Sequence, residues 1–430
     1  MKTRWELQTL LLLSVVGSGS AAAADFQVVY QFVGSPDGAR PTTPVSFGAD
    51  GAIYGTTPCG SSTETAGVAF RITRNQGAPG WTETVIHSFD FQTDGGNPST
   101  GLVPDGSGNF LFATEQGGAD EGGAIVELSE IDGAWSSQLV HTFAGSSDGS
   151  NPSGLVSVPG GSFIGGAGGG PNENSLGGEV FSLVPPQPGG MSWTLTAVYG
   201  FRAGTTDGEY PQGAPLPGRS DAVLGTTMFG GPTQNGIAYR VAPDGVDGAW
   251  QEHVLHYFSG IPDGAVPHSS LVSDEHGHFF GTTEQGGNSG CRHEQGCGTV
   301  FELTAPRPGQ PGWKEQVIYA FAAGPVTTDG SIPMAGLIRD RKTGVLYGTT
   351  VQGGIDCGDA GCGTVFSLTP PAEGQTAWTE SVLHFFDGHD GAKPMAPLTA
   401  GRDGWIYGTT YGEHYCAAAK GIGDVFRIKP

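Results

Sequence analysis

One stretch of text recurs seven times along the chain, and that recurrence constrains the fold more than any other feature. Its anchor is Asp-Gly-x-x-Pro, found at Asp37–Pro41, Asp94–Pro98, Asp148–Pro152, Asp207–Pro211, Asp263–Pro267, Asp329–Pro333 and Asp390–Pro394. Successive Asp residues stand 57, 54, 59, 56, 66 and 61 positions apart. Repetition at such a period means one structural unit stacked on its own copies.

Each unit holds four strand-like pieces. The first follows the Pro and carries Val45, Leu102, Leu155, Leu216, Leu271, Leu337 or Leu398. The second is an aromatic-Gly-Thr-Thr piece, clearest at Tyr54–Thr57, Phe280–Thr283, Tyr347–Thr350 and Tyr407–Thr410. The third reads Gly-x-Val-Phe-x-Leu, as at Gly298–Leu303 and Gly363–Leu368. The fourth is led by Trp81, Trp135, Trp193, Trp250, Trp313 or Trp378. Short aromatic and β-branched runs between Gly/Pro/Asp turns read as antiparallel sheet. The 76 Gly and 30 Pro among 430 residues disfavour helices.

Four strands in each of seven units predict an all-β fold, a seven-bladed β-propeller of four-stranded antiparallel blades. The segment from Phe26 reads as a Trp-less fourth strand, whereas the chain ends on a third-strand piece at Ile428. The N-terminal strand is therefore expected to complete the last blade and close the ring. The alternative is an open β-solenoid, which would carry atypical capping units at both ends.

Lys2 and Arg4, the apolar run Leu10–Val16 and Ala22–Ala24 have the form of a secretory signal peptide over residues 1–24. The expectation is a single propeller domain over 25–430, secreted or periplasmic, without a membrane span in the mature chain. Formal charge is −23. Loss of Lys2, Arg4 and Glu6, a net +1, takes the mature chain to −24. So acidic a surface repels phosphate backbones and anionic headgroups, which excludes nucleic acid as an expected partner. A monomer is expected.

Residues present in every unit read as scaffold, because a catalytic site is normally built once. The repeated Asp accepts hydrogen bonds from its own turn. Tyr30, His87, His141, Tyr199, His256, Tyr319 and His384 occupy one shared position, two residues before a Phe, and read as packed rings with a polar tip. Seven Asp residues suggest Ca²⁺, but a calcium site needs roughly 6–8 oxygens in one cluster, so no cofactor is expected.

All six Cys fall in loops between second and third strands. Export favours disulfides over thiols. Cys291–Cys297 and Cys357–Cys362 are expected as local staples. Cys59 and Cys416, in the first and last units, are expected to pair across the closing seam. Zinc is the rival, without the close Cys-x-x-Cys spacing it favours.

The repeated Asp-Gly-x-x-Pro, Tyr-Gly-Thr-Thr, Gly-Gly and Gly-x-Val-Phe-x-Leu text, as in residues 329–368, resembles the GloVer tandem-repeat family of exported "choice-of-anchor" bacterial proteins. The resemblance covers 26–430 and implies an extracellular or cell-surface protein. It brings no catalytic residues. The chain departs from the family's habit in having no visible anchor after Ile428.

Function is to be sought where the units differ. Glu115 and Glu284 follow the Thr-Thr position, where other units have Pro58, Met228, Val351 or Tyr411. The fifth unit's loop adds Arg292, His293 and Glu294, the sixth Asp356 and Asp359, the seventh Glu413 and His414. On a propeller these loops and the Asp-Gly turns share the face around one channel mouth. Solvated loop decoration explains them as well as a pocket does. The expected function is a non-catalytic module binding an extracellular carbohydrate, cell-wall or protein ligand. The alternative is a glycan-active hydrolase or lyase with Glu115 and Glu284 as its carboxylates, which requires a separation of roughly 5–9.5 Å. No nucleophile elbow, Walker loop, HExxH or dinucleotide fingerprint is present.

Overall fold

The computed structural model describes residues 24–60, 66–145, 148–169, 177–187, 190, 192–244, 249–291, 295–307, 312–322, 329–354, 357, 360–412 and 422–430. Apart from Ala24, the signal-peptide segment lies outside them. Seven antiparallel four-stranded blades form a β-propeller. The first blade orders Ser46–Phe47, Ile53–Thr57, Val68–Arg74 and Trp81–Ser88 from the channel outward. The seventh orders Thr399–Ala400, Ile406–Thr410 and Asp424–Lys429, and its outer strand is Asp25–Gln31 from the other end of the chain. Phe26 pairs with Ile428 and Gln31 with Asp424. The ring closes as the sequence predicts, and the open solenoid is excluded. Among the described residues no helix is long and apolar enough to cross a membrane.

The middle of each blade is set by a ring filling a slot. In Ile53–Thr57 a side chain at Gly55 would come 2.4 Å from Phe70 on the next strand. Gly281, Gly348 and Gly408 make the same room for Phe301, Phe366 and Phe426. Blade two reverses the arrangement, with Phe112 on the second strand and Val126 opposite it. Each slot ring then meets the Phe that ends the preceding blade: Phe32 with Phe70 at 5.1 Å, Phe89 with Phe112 at 5.0 Å, Phe321 with Phe366 at 5.2 Å. These tilted to edge-on contacts carry the hydrophobic core continuously from blade to blade. The first Thr of each Thr-Thr pair ties the inner strands together: Thr56, Thr226, Thr282 and Thr409 donate to the carbonyls of Thr100, Ser269, Ala335 and Thr43, each in the next blade.

Inner strands are short in most blades because Pro and small residues interrupt them. Among the described residues they are continuous only at Ser150–Ser157 and Gly208–Pro217. The residue before each repeated Pro is left-handed in all seven units, although none is Gly: Arg40, Asn97, Asn151, Tyr210, Val266, Ile332 and Lys393, with φ between 53° and 62°. Such backbone is costly and persists only where the surroundings impose it. Here the imposed contact is a hydrogen bond to the preceding blade. Asn97 N–H donates to Ala66 O, Ile332 N–H to Cys297 O at 2.8 Å and Lys393 N–H to Cys362 O at 2.7 Å.

Candidate functional site

Each joint between blades brings the two repeated positions into contact. Tyr30 donates to Asp37 at 2.6 Å and Tyr319 to Asp329 at 3.0 Å. His87 stands 2.5 Å from Asp94, His141 2.8 Å from Asp148, His256 3.1 Å from Asp263 and His384 2.8 Å from Asp390. Tyr199 and Asp207 are looser, at 3.4 Å. A one-residue register shift in the outer strand, such as the one between Leu139 and His141, turns each ring toward its Asp. The same Asp accepts from the chain a few residues earlier: Val33 N–H for Asp37, Ala322 N–H for Asp329. Asp and His/Tyr are one scaffold element, as their repetition implied.

Six joints hold a second acid. Glu83, Glu252, Glu315 and Glu380 come from one outer-strand position and face Asp37, Asp207, Asp263 and Asp329. In blades three and seven that position is Leu195 and Phe26, and the acid moves to the third strand as Glu179, beside Asp148, and Asp424, beside Asp390. Burial, then the neighbouring carboxylate, pushes Glu83, Glu179 and Glu252 up to about 8 and Glu315 and Glu380 up to about 7. Glu179 is fully buried, with neither carboxyl oxygen hydrogen-bonded. Among the described residues His256, Asp263 and Glu315 form the one trio with metal-ligand spacing, three ligand atoms within 4.8 Å. Three fall short of the oxygen count calcium takes.

The units differ at the channel mouth. A depression of about 900 Å³ opens there, lined by Arg40, Asn97, Glu115, Asn151, Tyr210, Phe229, His268 and Tyr411 among others. Asn97 donates its amide to the Glu115 carboxylate, and Asn151 donates to the Glu115 carbonyl at 3.1 Å. Burial raises the Glu115 carboxyl above the ordinary range. The Arg40 guanidinium stacks 3.8 Å over the Tyr411 ring. Tyr210 and Phe229, exposed by 41% and 37%, meet edge to face at 6.2 Å. Gly168 leaves the space that the Tyr210 ring occupies, since a Cβ there would come 3.0 Å from it. Below the mouth, a channel of about 300 Å³ runs between all seven inner strands. His268 lines both spaces. Burial holds its imidazole below the usual value, and the charge of Glu284 opposes that shift.

Of the residues singled out from the sequence, Glu115 lines the mouth, while Glu284 is 6% exposed and sits near His268 outside that lining. Arg292, His293, Glu294, Asp356, Asp359, Glu413 and His414 lie outside the described residues. Cys291–Cys297 and Cys357–Cys362 are disulfides, and Cys59 is disulfide-bonded while Cys416 lies outside the described residues. Sequence reasoning missed Arg40, Asn97, Asn151 and Tyr210. The signal was available, since all four occupy the variable position before the repeated Pro.

No curated protein matches the chain. Among solved structures, the extracellular domain of a hybrid two-component system from B. thetaiotaomicron superposes with a TM-score of 0.53 at 10% identity, covering 95% of this chain and 42% of that one. This chain therefore spans less than half the length of that protein. A protein from Thermus thermophilus named as an oxidoreductase (glucose dehydrogenase) gives 0.46 at 16% identity, covering 94% and 99% of the two chains. One from Bacteroides uniformis named as a 6-phosphogluconolactonase gives 0.48 at 16%, covering 83% and 87%. At such identities the likeness is one of fold. The repeat itself is more specific: matches over residues 18–181 and 159–418 take in most of the sequence, and the chain belongs to the Gloeobacter/Verrucomicrobia repeat family.

Proposed function

We propose that the protein is a non-catalytic binding module acting outside the cytoplasm, and that its channel mouth takes an extracellular carbohydrate. The supporting observation is the meeting of the Asn97–Glu115–Asn151 hydrogen-bonding group with the exposed rings of Tyr210 and Phe229 in one depression. Sugars present apolar ring faces and hydroxyls together, so stacking surfaces beside amide and carboxylate groups suit them. The two local disulfides fit an oxidising compartment.

A hydrolase or lyase is the second reading, favoured by the raised Glu115 carboxyl, which suits a general acid. It needs a second carboxylate in the mouth, and Glu284 is not among the lining residues.

A glycan array run beside a turnover assay on the hits separates the two. The binding reading expects hits that weaken at least tenfold in Tyr210→Ala and Asn97→Ala, without product release. Product formation lost in Glu115→Gln overturns the non-catalytic part. Hits unaffected by both variants, or no hit at all, overturn the mouth as the carbohydrate site.

A further inference from the structure

The face opposite the mouth carries a cation that lost its partners in one blade. In blade one, Arg71 on the third strand bonds Asp50 in the turn between first and second strands at 2.5 Å, and Tyr54 lies beneath it. Blade seven repeats the trio. Arg427 stands 3.7 Å from Asp403, and Tyr407 donates to the same Asp at 2.8 Å. The turns match in length, each closed by Gly N–H donating to the carbonyl four residues on: Gly48 to Ala52, Gly401 to Trp405, Gly218 to Ala222. The strands match in register, Tyr54 facing Arg71, Tyr407 facing Arg427 and Leu224 facing Arg240.

Blade four therefore keeps the cation, as Arg240, while Ser220 stands where the Asp belongs and Leu224 where the Tyr belongs. Among the described residues Arg240 has no ion-pair partner, unlike Arg71 and Arg427. A cavity of about 850 Å³ opens at that place, lined by Arg240, Ser220, Leu224, Arg219, Phe279 and Trp313, among others. Trp313 and Phe279, from blade five, form one wall with ring centroids 5.5 Å apart. Glu275, also on the lining, is engaged elsewhere, 3.3 Å from Arg341.

We propose that this cavity is a second ligand site, distinct from the mouth, that takes the carboxylate of an acidic saccharide. A guanidinium offers a planar fork matched to a carboxylate, and partial burial strengthens such a bond. The aromatic wall beside it supplies the apolar surface a sugar ring packs on. Compact inorganic anions would use the fork and leave that wall empty, so the arrangement favours a hexuronate residue. The net charge of −23 repels anionic chains at long range, so the attraction is confined to this local cation, and salt screens both.

The test is calorimetric titration of the full chain with oligogalacturonate and with a neutral galactose oligomer of equal length. The wild type is expected to bind the acidic oligomer and not the neutral one. Arg240→Gln should weaken binding at least tenfold. The double substitution Ser220→Asp with Leu224→Tyr rebuilds the trio of blades one and seven; it should abolish binding while the melting temperature holds or rises. Tyr210→Ala should leave binding at this site unchanged, which separates its failure from failure of the mouth reading. Absence of oligogalacturonate binding overturns the proposal, as does equal affinity in wild type and Arg240→Gln. Equal binding of sulfate and oligogalacturonate reduces it to a simple anion site and overturns the saccharide assignment.

Discussion

Glu315 and Asp263 stand together beside His256, with the ligand-capable atoms of all three inside 4.8 Å. Glu315 belongs to the outer strand of blade five and Asp263 to the joint that leads into it, so the contact couples a blade to its own point of attachment. Like-charged oxygens this close, half-buried, disfavour double ionisation. The same juxtaposition is reached at Asp148 and Asp390 through a different position, Glu179 or Asp424. Two routes to one arrangement mark the acid pair itself as the structural requirement.

Stability should accordingly fall as pH rises through neutrality. The six second acids have folded values near 7 or 8, above the ordinary carboxyl values of 4.5 for Glu and 3.8 for Asp. In this window the folded chain holds more protons than the unfolded one, so their stabilisation is complete below the ordinary carboxyl range and disappears as pH passes 7 to 8. Asp50, Asp263 and Asp274 are lowered by hydrogen bonds and positive neighbours that overcome burial, and they lose stability only as pH falls below 3.8. Melting temperature is expected to be highest at about pH 4 to 4.5, between the two sets of groups, and to decline from there toward about pH 9. Combined Glu252→Gln and Glu380→Gln should flatten the decline. An alkaline limb equally steep in that variant would sink this account.

Gly298 is a second joint element. Its φ is +93°, and a Cβ there would come 2.4 Å from Pro333 Cδ of the next blade and 2.6 Å from Thr283 O. Gly404 has a similar φ of +79° with open space around it. Left-handed backbone alone costs a side chain roughly 1–2 kcal/mol. Gly404→Ala should therefore lower stability by about that amount, and Gly298→Ala by roughly 3 kcal/mol or more, since the joint must also open. Chemical denaturation of both variants checks the order, and equal losses would contradict the role given to the joint.

Much of this was legible from residues alone, for physical reasons. Asp-Gly-x-x-Pro and Gly-x-Val-Phe-x-Leu are local sequence patterns, so blade number, strand order and closure through Phe26 followed from their order. The bond between Tyr30 and Asp37 was not stated in advance, because a register shift in the outer strand turns that ring, and bulges leave no composition signature. Asn97 and Tyr210 were overlooked because a residue before Pro is expected in extended backbone; in the left-handed form each meets the mouth instead. Arg240 gave no signal at all. Its meaning appears only when Ser220 and Leu224 are set against Asp50 and Tyr54 at the same turn.

The loop staples should act mainly on the unfolded chain. Cys291 and Cys297 are six positions apart, a small ring. In the chain-entropy model closing it is worth about 2 kcal/mol. The double substitution to Ser should cost that much in denaturant midpoint and leave the blade spectrum intact. A loss of several times that size would mean that the loop is welded to the blade-to-blade bond between Ile332 N–H and Cys297 O.

His268 is the last and most local test. Burial pushes its imidazole below the ordinary value and the Glu284 carboxylate pulls the other way, so removing that charge should leave burial unopposed. In Glu284→Gln the His268 titration, followed by imidazole NMR, is expected to move further below the ordinary 6.5. The stability linked to this group has the opposite sign to that of the acid pairs: it is present above the ordinary value and lost as pH falls through it, because the unfolded chain takes up the proton first. Glu284→Gln should thus deepen the loss of stability that sets in as pH falls below 6.5, while the decline above about pH 7 stays as it was. An unmoved His268 would show that Glu284 does not act on the channel, and the carboxylate would then be a packing element of blade five alone.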